Sequence, residues 1–91
     1  MLSIVLSNRF KKDLKRAKKR GLDLDLLEEV VDQLAKCVPL PEKNRDHALT
    51  GDHIGFRKCH VAPDWLLVYR VEDEELELFR FCAGSHSDLF T

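Results

Sequence analysis

Apolar positions fall along this chain in two helical stripes and four short strand-like runs. Leu2 to Leu6, with β-branched Ile4 and Val5, reads as a first strand. Ser7 or Asn8 then offers a cap for a helix in which Phe10, Leu14 and Ala17 recur at i, i+4 and i+7, a narrow apolar stripe stopped by Gly21. A second helix is predicted behind an Asp25/Glu28 capping box. Its wider apolar face comprises Leu26, Leu27, Val30, Val31, Leu34 and Val38, and Pro39 and Pro41 end it. A polar loop from Leu40 to His53 follows. Three strands are then expected, at Ile54–Val61, Trp65–Val71 and Leu76–Cys82, broken by Pro63-Asp64 and by the acidic turn Glu72–Glu75. The order β-α-α-β-β-β predicts an α+β fold, two N-terminal helices on a small antiparallel sheet.

Length and composition narrow the picture. Ninety-one residues make one small domain, expected over 1–91, and 44% apolar with 34% charged residues argues against disorder. The longest apolar run, Trp65 to Tyr69, is five residues, far short of the roughly 20 that a spanning helix needs. Met1 to Leu6 is too short for a signal peptide, so a cytoplasmic location without membrane contact is expected. Cys37, Cys59 and Cys82 are odd in number and include no CxxC pair, so they read as reduced thiols.

The net charge of −1 conceals a sharp asymmetry. Residues 1–20 carry eight Lys or Arg against Asp13 alone, whereas residues 21–36 carry five acids against Lys36, and the acids again exceed the bases in 61–91. Such a basic helix is a footprint for a polyanion or for an acidic partner, and equally an ordinary solvated helix face. Lys11, Lys12, Lys15, Arg16, Lys18 and Lys19 would form it.

All four histidines, at 47, 53, 60 and 86, lie in the second half. Cleaving RNA without a metal requires a base for the 2′-hydroxyl, an acid for the leaving 5′-oxygen and a cation for the phosphate. Two or three histidines with an Arg or Lys meet that need, although each histidine alone is more often a surface or core residue. Asp64 could orient a histidine, and Trp65 and Phe90 could stack on a base, or these rings could simply close the core. His47, His60, Cys59 and His86 lack the compact spacing of a metal site, so no metal or other cofactor is expected.

Four ordered segments carry a resemblance. They are Asp46-His47-Ala48-Leu49-Thr50-Gly51, Phe56-Arg57-Lys58-Cys59-His60-Val61, Pro63-Asp64-Trp65-Leu66-Leu67-Val68-Tyr69 and Gly84-Ser85-His86-Ser87-Asp88-Leu89-Phe90. Together they resemble the YafQ branch of the RelE/ParE toxin superfamily over roughly residues 40–91, and the two helices extend the match to nearly the whole chain. The resemblance implies a toxin of a type II toxin–antitoxin pair, a ribosome-dependent endoribonuclease that cuts mRNA. It also implies a cognate DinJ-like antitoxin, with operator DNA contacted only through the antitoxin complex. The family's active-site positions fall on His47, His60, Asp64, Trp65, His86 and Phe90. His86 is assigned the principal proton transfer. His47, His60 and Asp64 share the base and phosphate-positioning work, and Trp65 and Phe90 hold the nucleotide.

One departure stands out. The family usually has an Arg four residues before the C-terminal histidine, and this chain has Cys82 there. Cysteine cannot clamp a phosphate as a guanidinium does, so Arg80 or Arg57 is the expected substitute. The competing reading is a catalytically weakened family member that binds antitoxin or RNA without turnover. The superfamily's other activity, gyrase poisoning, gives no reason for the paired histidines.

Overall fold

The computed structural model describes residues 1–51 and 54–83. Strand β1 (Ser3–Leu6) leads into helix α1 (Asn8–Lys19), helix α2 (Leu24–Ala35), a single 3-10 turn (Glu42–Asn44) and strands β2 (His47–Ala48), β3 (Arg57–Ala62), β4 (Trp65–Glu72) and β5 (Glu75–Ala83). The α+β class with two helices on a small sheet holds. The five strands run in the order β1-β5-β4-β3-β2, and the sheet is mixed rather than antiparallel, because β1 lies parallel to β5. The meander β3-β4-β5 reverses direction at each hairpin, so β3 and β5 share a direction. Strand β1 reaches β3 through the two helices, a crossover of the kind that joins parallel strands. Strand β2, read as loop from the sequence, adds a short antiparallel rung against β3.

Local chemistry accounts for the helix ends. The Ser7 hydroxyl accepts from the Phe10 amide at 3.0 Å and Gly21, at φ +80°, ends α1. Helix α2 begins two residues earlier than the Asp25/Glu28 box predicts, because Asp23 is the cap and its carboxylate accepts from Asp25 N–H at 3.0 Å. It also ends earlier. Cys37 takes a left-handed φ of +60°, and the Val38 amide bonds back to the Gln33 carbonyl at 2.9 Å, before either proline is reached. Leu26 and Val38 consequently stand exposed, and Ala35 is buried in their stead. Strand β3 starts at Arg57, not Ile54, because the Ile54 amide closes a turn onto Gly51 and Gly55 adopts φ +95°.

The core lies between the helices and one sheet face. It joins Phe10 and Ala17 of α1, Leu27, Val30 and Leu34 of α2, and Cys59, Val61, Leu67, Tyr69, Leu76, Leu78 and Phe81 of the sheet. Leu76 and Leu78 face inward, and strict alternation would send Arg80 in after them. Instead a bulge intervenes: Val68 pairs with Arg80 but Tyr69 pairs with Leu78, which leaves Phe79 as the extra residue and brings Phe81 into the core.

Beyond Leu78 the edge of β5 has no strand beside it among the described residues, since β1 stops at Leu6. Helix α1 satisfies that edge with side chains. The Ser7 hydroxyl donates to the Phe79 carbonyl at 2.7 Å. The buried Asp13 carboxylate accepts from the Phe81 amide at 3.1 Å and from Arg80 Nε at 3.4 Å. No helix among the described residues is long and apolar enough to cross a membrane.

Candidate active site

With the helices on one face, the other face of the sheet carries His47 and His60. In the ladder His47 of β2 stands directly opposite Lys58 of β3, and Lys58 opposite Val68 of β4. His60 pairs with Leu66. Residues 58 and 60 are two apart on an uninterrupted stretch of strand, so His47, Lys58 and His60 share one face, opposite to that of buried Cys59 and Val61. The sheet therefore brings His47 and His60 near each other on one face.

Each histidine is held by its backbone surroundings. His47 Nδ1 lies 2.7 Å from the Arg45 carbonyl, which sets the ring's orientation. His60 sits at an irregularity in β3, where pairing shifts between His60 and Ala62. The His60 carbonyl accepts instead from the side chain of buried Asn44, at 2.6 Å. Asn44 thus fastens the 3-10 turn to the strand that bears the histidine. The sequence reading missed it, and only its position in a polar, proline-flanked loop hinted at a turn role.

Electrostatics act on His60 in one direction. Partial burial lowers its pKa below the ordinary histidine value, the cations Arg45 and Lys58 lower it further, and a bond to the Pro63 backbone opposes them in part. The neutral imidazole is the favoured form near pH 7. A groove of about 560 Å³ opens beside it, bounded by Leu26 of α2, by Lys43 and Arg45 of the turn region, and by His60 to Pro63.

The remaining expected site residues divide. Asp64 is exposed in the turn between β3 and β4. Trp65, half-buried, begins β4 on the helix side of the sheet, its ring centroid 5.2 Å from that of Phe81. One face of the indole is therefore occupied by the core. Arg57 bonds to Asp46 at 3.2 Å, and the Tyr69 hydroxyl donates to the same oxygen at 2.6 Å, so the pKa of Arg57 is raised chiefly by Asp46. Arg80 is engaged by Asp13. The two arginines expected to replace the missing guanidinium thus already hold carboxylates. The six basic residues of α1, Lys11, Lys12, Lys15, Arg16, Lys18 and Lys19, are all exposed. Burial pushes the Cys59 thiol up to about 12, so it is no nucleophile. His53, His86 and Phe90 lie outside the described residues, as does the turn expected at Gly84–Asp88.

Comparison with known proteins covers almost the whole chain. The family described as the bacterial toxin of type II toxin–antitoxin systems, YafQ, matches residues 2–91. The mRNA interferase toxin YafQ of Escherichia coli K12 is 39% identical over 88 residues, covering 96% of this chain and 94% of that protein. Among solved structures, a metal-bound toxin from Helicobacter pylori is 47% identical with a TM-score of 0.88, covering 99% of this chain and 100% of that one. The E. coli DinJ–YafQ complex is 36% identical with a TM-score of 0.86 over the full length of both chains. Among the described residues here, no three His, Cys, Asp or Glu side chains stand close enough together to hold a metal ion. Fold and sequence agree across almost the entire length: the chain belongs to the YafQ family of toxins of bacterial type II toxin–antitoxin systems.

Proposed function

We propose that this chain, as a single toxin domain over 1–91, is an mRNA interferase that cuts mRNA on the ribosome by histidine acid–base chemistry without a metal. The observation that carries the reading is the pair His47 and His60 on the helix-free sheet face, with His60 biased to the neutral form. It is supported by the E. coli relative, which is named an mRNA interferase.

In this reading a neutral histidine, His60 with help from His47 and Asp64, takes the proton of the 2′-hydroxyl. The 2′-oxygen attacks phosphorus and the P–O5′ bond breaks. His86, as the principal proton-transfer group, gives its proton to the leaving 5′-oxygen. The products are a 2′,3′-cyclic phosphate and a 5′-hydroxyl. Phe90 would grip the nucleotide, and Trp65, at the strand end with one indole face already on Phe81, would meet it only with the other face.

Induced expression of the chain, with mRNA 5′ ends mapped by primer extension on ribosomes, tests this. Cuts at fixed positions within codons are expected, and His86→Ala should reduce them by about 10²-fold or more. Growth without arrest and intact mRNA, with soluble folded protein, would instead favour the non-catalytic binding role that Cys82 suggests.

A DinJ-like antitoxin is the proposed partner, because the E. coli relative crystallised with DinJ. Operator DNA would be met only through that complex, and the site of action is the cytoplasm. The exposed cations of α1 suit ribosomal RNA, with steep salt dependence. Reversing Lys11, Lys15 and Lys18 to Glu should weaken ribosome binding by more than tenfold at moderate salt. Sedimentation with ribosomes checks this, and unchanged binding would remove α1 as the contact.

A further inference from the structure

We infer that Lys58 is the phosphate-stabilising cation of this site, in the role that position 82 cannot fill here. The inference rests on the ribonuclease reading above. Three observations carry it.

The first is placement. Lys58 is the residue directly across the β2–β3 ladder from His47 and two residues from His60 on the same face of β3. Residues facing each other across a ladder have Cβ atoms about 5 Å apart, and i and i+2 on a strand are about 7 Å apart. The four-carbon stem of a lysine can carry its ammonium to a phosphate held between two such imidazoles. In the reading above the 2′-hydroxyl gives its proton to His60, with help from His47, so the adjoining scissile phosphate lies beside these two rings.

The second is availability. Arg57 is bound to Asp46, which also takes the Tyr69 hydroxyl. Arg80 is bound to buried Asp13. Enlisting either would strip a partner from a carboxylate that the fold uses. Among the described residues, no acid pairs with Lys58.

The third is rigidity. Arg45, the other cation near His60, belongs to the turn outside the sheet, at φ +47°. Lys58 stands on a strand paired on both sides, with β2 and with β4. A cation that stabilises developing charge works best when it is already in position. Position 82 lies opposite Leu66, which in turn lies opposite His60. A guanidinium there would approach the phosphate from the β5 side. Lys58 approaches from the β3 side and serves the same oxygens. Its ammonium offers charge and hydrogen bonds to the non-bridging oxygens.

The test is single-turnover cleavage of mRNA by the purified full chain on programmed ribosomes, with the rate at saturating ribosomes measured separately from half-saturation. Lys58→Gln should lower the saturated rate by about 10²-fold and change half-saturation little, and Lys58→Arg should retain most of the rate. A Lys58→Gln enzyme that cuts at the parental rate would overturn the inference. So would a loss confined to half-saturation, which is the signature of a docking lysine, or a Lys58→Arg enzyme as slow as Lys58→Gln. A parent chain that never cuts would instead refute the ribonuclease reading and this inference with it, and the two failures are therefore distinct.

Discussion

His60→Gln is expected to lower the single-turnover cleavage rate by about 10³-fold while the protein stays folded, because the ring is partly exposed and contributes little to the core. The pH profile of the parent makes the expectation sharper. Burial first, then Arg45 and Lys58, lower the His60 pKa, so the ring stays neutral to a pH below the usual value near 6.5. A general base works in its neutral form. The midpoint of the acid-side decline in rate should therefore lie below 6.5, as His60 protonates. Lys58→Gln removes one of the cations that disfavour imidazolium, so in that variant the declining limb should move upward toward 6.5. A limb already above 6.5 in the parent, or one unmoved by Lys58→Gln, would assign the base elsewhere.

Asp13→Ala is expected to lower the unfolding free energy by about 2–3 kcal/mol. Asp13 is a buried carboxylate in the middle of the basic helix, only 6% exposed. It accepts the Phe81 amide where the β5 edge has outrun β1, and it also holds Arg80. Removing it leaves a buried N–H without a partner and an arginine without a counter-charge, and both changes act in the same direction. Urea unfolding followed by circular dichroism measures the loss. A change under about 0.5 kcal/mol would mean that water reaches the Phe81 amide once the carboxylate is gone. Cleavage by the variant at temperatures well below its midpoint should remain near the parental rate, because Asp13 faces the helix side of the sheet and the histidines face the other.

Much of the fold was legible because its signals are local. Helix α1 follows from a serine cap, three apolar residues at helical spacing and a glycine stop, each of which acts within a few residues. The ends of α2 were less legible. Asp23 and Asp25 both make chemically sound caps, and the choice depends on how the short link from Gly21 delivers the chain. Likewise Cys37 gave no warning that it would adopt the left-handed conformation that ends the helix. The direction of β1 was misread because an isolated strand carries no mark of its neighbour's polarity.

The candidate site divides along the same line. His47 and His60 could be named from the residue types that proton transfer needs. Lys58, although only two residues from His60, was passed over for Arg57 and Arg80. A positive side chain in sequence says nothing of what already binds it, and the carboxylates that hold those arginines come from Asp46, 11 residues away, and from Asp13, 67 residues away. The Lys58/His60 alternation on one strand was the available signal.

By itself the sequence determined every element but β2, most of each helix face, the basic character of α1 and the set of side chains capable of acid–base work, because these depend on periodicity, capping and chemistry within a few residues. Only the tertiary structure decided that β1 runs parallel to β5, that a bulge at Phe79 brings Phe81 inward, that Asp13 serves as an edge cap, and that Lys58 stands between the two histidines. Each of these depends on the register between strands, which is set by pairing and burial across the whole domain. A shift of one residue there moves every side chain to the opposite face.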